Sequence, residues 1–224
     1  MHVPTVDRPL DDEEWRAFVI AQGFGHLVAA GQARDVPVVV PTQFILDDDE
    51  VLCHVAAANP ILDALAERPT AILSIAGDWA FVPSSWKAID DEDPRLGIPT
   101  TYYAAVQLTG PVDVVEDPDA LAAVLRRQLA TLQPDVDVAD PAEDHRRRLG
   151  AIRGLVLHVQ DVNAKFKYGG NVDEAHRRAV LDRLAERARP GDAAAAAHVR
   201  RRLAPEPRAS AFERGAARGS TGRS

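Results

Sequence analysis

Cysteine is almost missing from this 224-residue chain: Cys53 is the only one. A disulfide framework is therefore excluded, which suits a reducing cytoplasm. The seven histidines are scattered, with no pair at ligand spacing on a helix and no Cys-x-x-Cys beside them, so no metal-site signature is present. Positive charge is in short supply too. Lys and Arg number 26 against 34 Asp and Glu, a net charge of −8, which argues against coating nucleic acid or anionic membrane through bulk charge. No apolar run approaches the roughly 20 residues needed to cross a bilayer. The opening MHVPTVDRPLDDEEW lacks the basic and apolar regions of a signal peptide. The expectation is a soluble, cytoplasmic protein.

Nucleotide and nucleophile signatures are missing as well. Gly23-Phe24-Gly25 has no third glycine in register and opens a strand, so it is not a dinucleotide turn, and no Walker-type loop occurs. Cys53 and His54 are neighbours in a strand. Their side chains point to opposite faces and cannot form a nucleophile–base pair, which leaves Cys53 as a core residue.

What is present is an ordinary globular balance, 46% apolar and 27% charged, in a chain long enough for one substantial core or two small ones. Asp11 or Asp12 can cap a helix through EEWRAFVIAQ, with Gly23 placed to stop it. HLVAAG, VPVVVPTQFIL and VLCHVA read as strands joined by Gly31 and the acidic turn DDDE. NPILDALAE reads as a short helix with Asn59 as cap and Pro60 at its first position. TAILSIAG and AFVPSSW follow as two strands, then the polar loop IDDEDPRLG, then the long strand TYYAAVQLTGPVDVVED, with a bend expected at Gly110-Pro111. DPDALAAVLRRQLATL is an amphipathic helix capped by Asp117, and a more polar one is expected around PAEDHRRRLGAI. GLVLHVQDVNAKFKY returns to strand. VDEAHRRAVLDRLAERA and DAAAAAHVRRRL are helical, and residues 204–224 carry too few core-forming side chains to fold. Strands adjoin one another and helices come as insertions and ends, which predicts an α+β protein on an antiparallel sheet or barrel.

Four stretches can carry chemistry. In HVAAANP a helix begins at Asn59, and its free N–H groups would attract an anion, although Asn59 as a plain cap explains the same residues. In AKFKYGGN, Lys165 and Lys167 share one face of a strand before Gly169-Gly170, which suits either an anion site or a solvated edge strand guarded by lysines. GDWAFVPSSWK sets Trp79, Phe81 and Trp86 beside Ser84 and Ser85. IPTTYYAAV sets Thr100 and Thr101 beside two tyrosines. Aromatics next to hydroxyls suit a flat polar ring system or an ordinary core edge.

Taken in order, MHVP, GFGHLV, HVAAANP, AFVPSSW, IPTTYYAAVQLTG and AKFKYGGN resemble the PaiB-like FMN-binding family, whose members are negative transcriptional regulators. That family belongs to the flavin-binding split-barrel superfamily, with pyridoxamine-phosphate oxidase. The resemblance covers about residues 1–190. It implies an antiparallel six-stranded split β-barrel over residues 1–172, to which the residue pattern adds C-terminal helices over 173–203 and a disordered tail over 204–224. It also implies a homodimer with FMN at the subunit interface and flavin contacts at His54, Asn59, Ser84, Ser85, Trp86, Thr100, Thr101, Lys165, Lys167 and Asn171. DNA binding is implied by the family's regulator role alone. The alternatives are a flavin-dependent oxidoreductase and a cofactor-free dimer that kept the fold. The sequence departs from the family at Ala57, where an arginine is usual, at Thr101-Tyr102, where tryptophan and asparagine are usual, and in the KYGGN ending. An arginine lost from a phosphate site removes a charge-assisted bond worth ~1.5–3 kcal/mol, which leaves Lys165 and Lys167 to compensate, or FMN weakly held or replaced.

Overall fold

Asp11 opens the first helix as its sequence predicts. Its Oδ1 accepts from the Glu14 N–H at 2.8 Å, and α1 runs Asp12–Gln22. Such a cap is worth about 1 kcal/mol. Gly23 ends the helix at φ 56°, in the left-handed region where a side chain would be strained. The chain, described by a computed structural model over residues 1–32 and 34–203, then enters the sheet. The tail expected at 204–224 lies outside the described residues.

The sheet has eight strands: β1 (Phe24–Ala29), β2 (Val38–Gln43), β3 (Ile45–Asp47), β4 (Glu50–Ala56), β5 (Thr70–Val82), β6 (Thr100–Val115), β7 (Ile152–His158) and β8 (Asp161–Lys167). Their order is β2-β1-β5-β6-β7-β4-β3, with β8 also on β6, and every pairing is antiparallel. The expected six-stranded count is therefore corrected to eight, and the strand boundaries depart from the segments read in the sequence at three places. TAILSIAG and AFVPSSW fuse into β5 through a bulge between Gly77 and Ala80 that keeps both halves on β6. VPVVVPTQFIL breaks at Phe44, whose N–H turns to the Gly23 carbonyl. GLVLHVQDVNAKFKY breaks at Val159–Gln160, whose N–H groups bond Asp49 and Thr109.

That last break lets one strand serve two partners. β6 pairs with β8 over Tyr103–Thr109 and with β7 over Val112–Val115. Gly110 sits at the changeover, where a Cβ would lie 1.8 Å from the His158 carbonyl oxygen. Only glycine admits that approach without moving the backbone.

Five further helices complete the described chain: α2 (Ile61–Glu67), α3 (Pro118–Leu132), α4 (Arg146–Leu149), α5 (Glu174–Arg187) and α6 (Asp192–Leu203). The polar helix expected around PAEDHRRRLGAI shrinks to the single turn of α4. Inside the curled sheet, Leu27, Val51, Cys53, Leu73, Ile75, Val106, Leu108 and Phe166 are buried. α1 adds Trp15, Phe18 and Val19, and α6 adds Ala195, Ala196 and Val199 to the same core. Each large apolar side chain so buried contributes about 1.5–3 kcal/mol. The C-terminal helices thus close one side of this core.

Candidate functional site

Strand alternation decides which side chains of β6 and β8 are available. Tyr102, Ala104, Val106 and Leu108 face inward with Ala164 and Phe166, so Thr101, Tyr103, Ala105, Lys165 and Lys167 share the outer face. The two lysines meet different fates there. Lys165 Nζ donates to the His2 carbonyl at 3.2 Å and stands 3.7 Å from the buried Asp7 carboxylate. Its charge is compensated, and it ties residues 1–7 across the strand.

Lys167 Nζ instead donates to Thr100 Oγ1 at 2.7 Å. Beside it comes Lys87, which closes the 3₁₀ turn Ser84–Lys87 after β5 and lies over the Tyr102 ring at 5.9 Å. Burial pushes the Lys87 ammonium below the ordinary lysine value, and the charge of Lys167 pushes it further. Among the described residues neither ammonium has a carboxylate partner. Ammonium groups without a carboxylate partner can receive an anion. Ser84 and Trp86, in the same turn, are half-buried and Ser85 is exposed; this turn and the Thr100 end of β6 make the mouth of the candidate site. Trp86 is stacked on the Arg187 guanidinium at 4.4 Å. Arg187 is itself clamped by Asp192 and by the Phe81 carbonyl. Thr101 stands opposite Phe81 in the ladder, and Asn171 is exposed in the turn after Gly169-Gly170.

His54 and Asn59 lie elsewhere. His54 pairs with Gly154, which pairs with Val115 at the far end of the 16-residue β6, whereas Thr100 is its first residue. His54 Nδ1 meets Gln128 Oε1 at 2.9 Å, and Asn59 Oδ1 accepts from the Ile61 N–H at 3.1 Å as a cap. Within one chain, then, the ten expected residues fall into two groups at opposite ends of β6. Sequence reading missed Lys87 and Gln128. The signal for Lys87 was its place directly after SSW; that for Gln128 was an amide on the apolar stripe of a helix.

Two further surfaces frame the site. The outward face of the sheet carries Val39, Val28 and Ile72 in one cross-strand row, and exposed Trp79 and Phe81 nearer the mouth. Arginines of the basic helical runs are engaged within the fold: Arg146 with Asp119, Arg178 with Glu174, and Arg202 with the buried Glu14.

The family model described as "Putative FMN-binding domain" matches residues 1–161. The Bacillus subtilis (strain 168) protein named protease synthase and sporulation protein PAI 2 is 25% identical over 197 residues, 85% of this chain and 92% of that protein. Among solved structures, the flavocytochrome Anf3 from Azotobacter vinelandii superposes with a TM-score of 0.56 at 21% identity, covering 79% of this chain and 78% of that one. A FAD and heme binding protein from Mycobacterium smegmatis gives a TM-score of 0.55 at 20% identity, covering 72% and 73%. At these identities the structural likeness shows a common fold, that of the flavin-binding barrels.

Proposed function

This chain belongs to the FMN-binding domain family whose model spans residues 1–161, and from that premise we propose that it is a PaiB-type protein holding FMN between two copies of itself. The observation that carries the reading is the Lys87–Lys167 pair, two ammonium groups without a carboxylate among the described residues. A near-dianionic phosphate fits them, with the Thr100, Ser84 and Ser85 hydroxyls as further partners. Phosphate binding at this mouth makes the usual arginine at position 57 dispensable, because Ala57 lies with the other group. FMN supplies the redox-active isoalloxazine. Trp86, Thr101 and Asn171 border the same mouth, while His54 and Asn59 reach the flavin from the second copy.

The outward sheet face supports the pairing of two chains. A row of Val39, Val28 and Ile72 flanked by exposed Phe81 is apolar surface that a second copy would cover. Residues 173–203 act in this reading as an appendage to the barrel, with Arg187 bracing Trp86. A regulatory role is part of this reading, as the family resemblance implies, and salt-sensitive retention of DNA is its direct test.

FMN and riboflavin titrations followed by flavin fluorescence test the cofactor reading. FMN should bind tighter than riboflavin, and Lys87→Met with Lys167→Met should remove the difference. Each charge-assisted bond lost at ~1.5–3 kcal/mol is roughly a 10- to 150-fold weaker FMN complex, with riboflavin unaffected. Equal affinity for both flavins in the unaltered protein would overturn the assignment of the phosphate. Phe81→Glu, read by sedimentation, should yield monomers that no longer retain FMN.

A further inference from the structure

Gln128 breaks the pattern of its own helix. Leu121, Val124 and Leu125 precede it at helical spacing on the packed side of α3, and Gln128 is only 3% exposed. An apolar residue would satisfy that position, whereas a buried amide must find partners for both ends. It does. Gln128 Nε2 donates to the Leu52 carbonyl at 3.2 Å, and Oε1 meets His54 Nδ1 at 2.9 Å.

The orientation of the amide follows from chemistry. The Leu52 carbonyl only accepts, so the amide end facing it must be the NH2 group, and the oxygen must face His54. That oxygen also only accepts, so His54 Nδ1 must carry a hydrogen. In neutral His54 the lone pair is then on Nε2. The ring is exposed, and among the described residues Nε2 has no hydrogen-bond partner.

We propose that Gln128 is a positioning residue: it fixes His54 in the Nδ1–H tautomer so that Nε2 accepts a hydrogen bond from an O–H or N–H of the flavin. The inference rests on the reading above that His54 lies at the flavin site. An imidazole without a partner prefers the opposite tautomer, Nε2–H, which would present a donor to the same ligand group. Gln128 therefore sets the polarity of the contact without touching the ligand.

The test combines a tautomer readout with binding. Long-range ¹H–¹⁵N correlation of the ligand-free protein reports which His54 nitrogen carries hydrogen, and fluorescence titration reports FMN affinity. The unaltered protein should show Nδ1–H. Gln128→Met, close in volume, should switch His54 to Nε2–H and weaken FMN about tenfold, the size of one ordinary hydrogen bond exchanged for a mismatch. Gln128→Glu retains an acceptor against Nδ1 and should retain the tautomer. In a His54→Phe background, Gln128→Met should have no further effect on FMN.

In a protein that binds FMN, three results overturn the proposal: Nε2–H in the unaltered protein, a tautomer switch that leaves FMN affinity unchanged, or equal losses from Gln128→Met with and without His54. If the unaltered protein binds no FMN, the flavin reading and the positioning role both fall. The tautomer signal still decides whether Gln128 and His54 are paired, so the two failures are distinct.

Discussion

Replacing Glu14 by glutamine should destabilise the protein at neutral pH and matter far less in acid. Glu14 is 2% exposed, on the inner side of α1. Burial by itself would raise its pKa, but the His198 ring 3.6 Å away and hydrogen bonds from Arg202 and the Leu10 N–H outweigh that and hold it at about 2, against an ordinary 4.5. Arg202 grips both carboxylate oxygens at 2.9 and 3.1 Å, and Leu10 N donates at 2.8 Å. A depressed carboxyl pKa contributes stability that is complete above 4.5 and is lost as pH falls toward 2. At about 1.36 kcal/mol per pH unit, the contribution is about 3 kcal/mol. Roughly 2 kcal/mol of it should be gone by pH 3. Urea melts of both proteins at pH 7, 5 and 3 read this directly. Glu14→Gln should lie about 3 kcal/mol below the unaltered protein at pH 7 and about 1 kcal/mol below at pH 3. A gap that stays constant from pH 7 to 3, or widens in acid, refutes the reasoning. His198 adds a limb of opposite sign. Burial opposes its charged form, yet a hydrogen bond to Asp78 at 2.9 Å and the Glu14 carboxylate 3.6 Å away raise its pKa. Its share is complete below 6.5 and is lost as pH rises through the folded-state value. Hydrogen exchange in α6, which carries both His198 and Arg202, should quicken first at either extreme.

The two lysines of β8 should separate experimentally. Lys165→Met should release residues 1–7, read by faster exchange there, with FMN affinity little changed. Lys167→Met should weaken FMN at least tenfold and leave those residues protected. Gly169→Ala should destabilise by about 1–3 kcal/mol, because Gly169 sits at φ 79° and its Cβ would lie 2.5 Å from Tyr102 Oη; a thermal melt unchanged from the parent contradicts this. Burial pushes the Cys53 thiol up to about 12, with Thr42 opposing weakly. It should therefore resist a thiol reagent at pH 8 until urea unfolds the protein.

Much of the fold was legible because its causes are local. Asp11 and Gly23 bound α1, Asp117 and Pro118 open α3, and alternation puts both lysines of AKFKYGGN on one face. Local pattern could not number the strands, since the bulge beside Asp78 and the breaks at Phe44 and Val159 depend on pairing with distant chain. Nor could it say which lysine is free. Asp7, some 160 positions away, compensates Lys165, while Lys167 shares its mouth with Lys87 from another element.

The sequence by itself determined an α+β chain, the segments that hold the candidate residues and the likeness to flavin-binding proteins, because periodicity, caps and motif order all act over a few residues. Tertiary structure alone decided that His54 and Asn59 lie at the opposite end of β6 from Thr100, that Lys87 joins Lys167, and that Gln128 dictates the hydrogen on His54. Charge compensation and hydrogen-bond direction are properties of neighbours in space, and those neighbours exist only once β6 has brought its partners together.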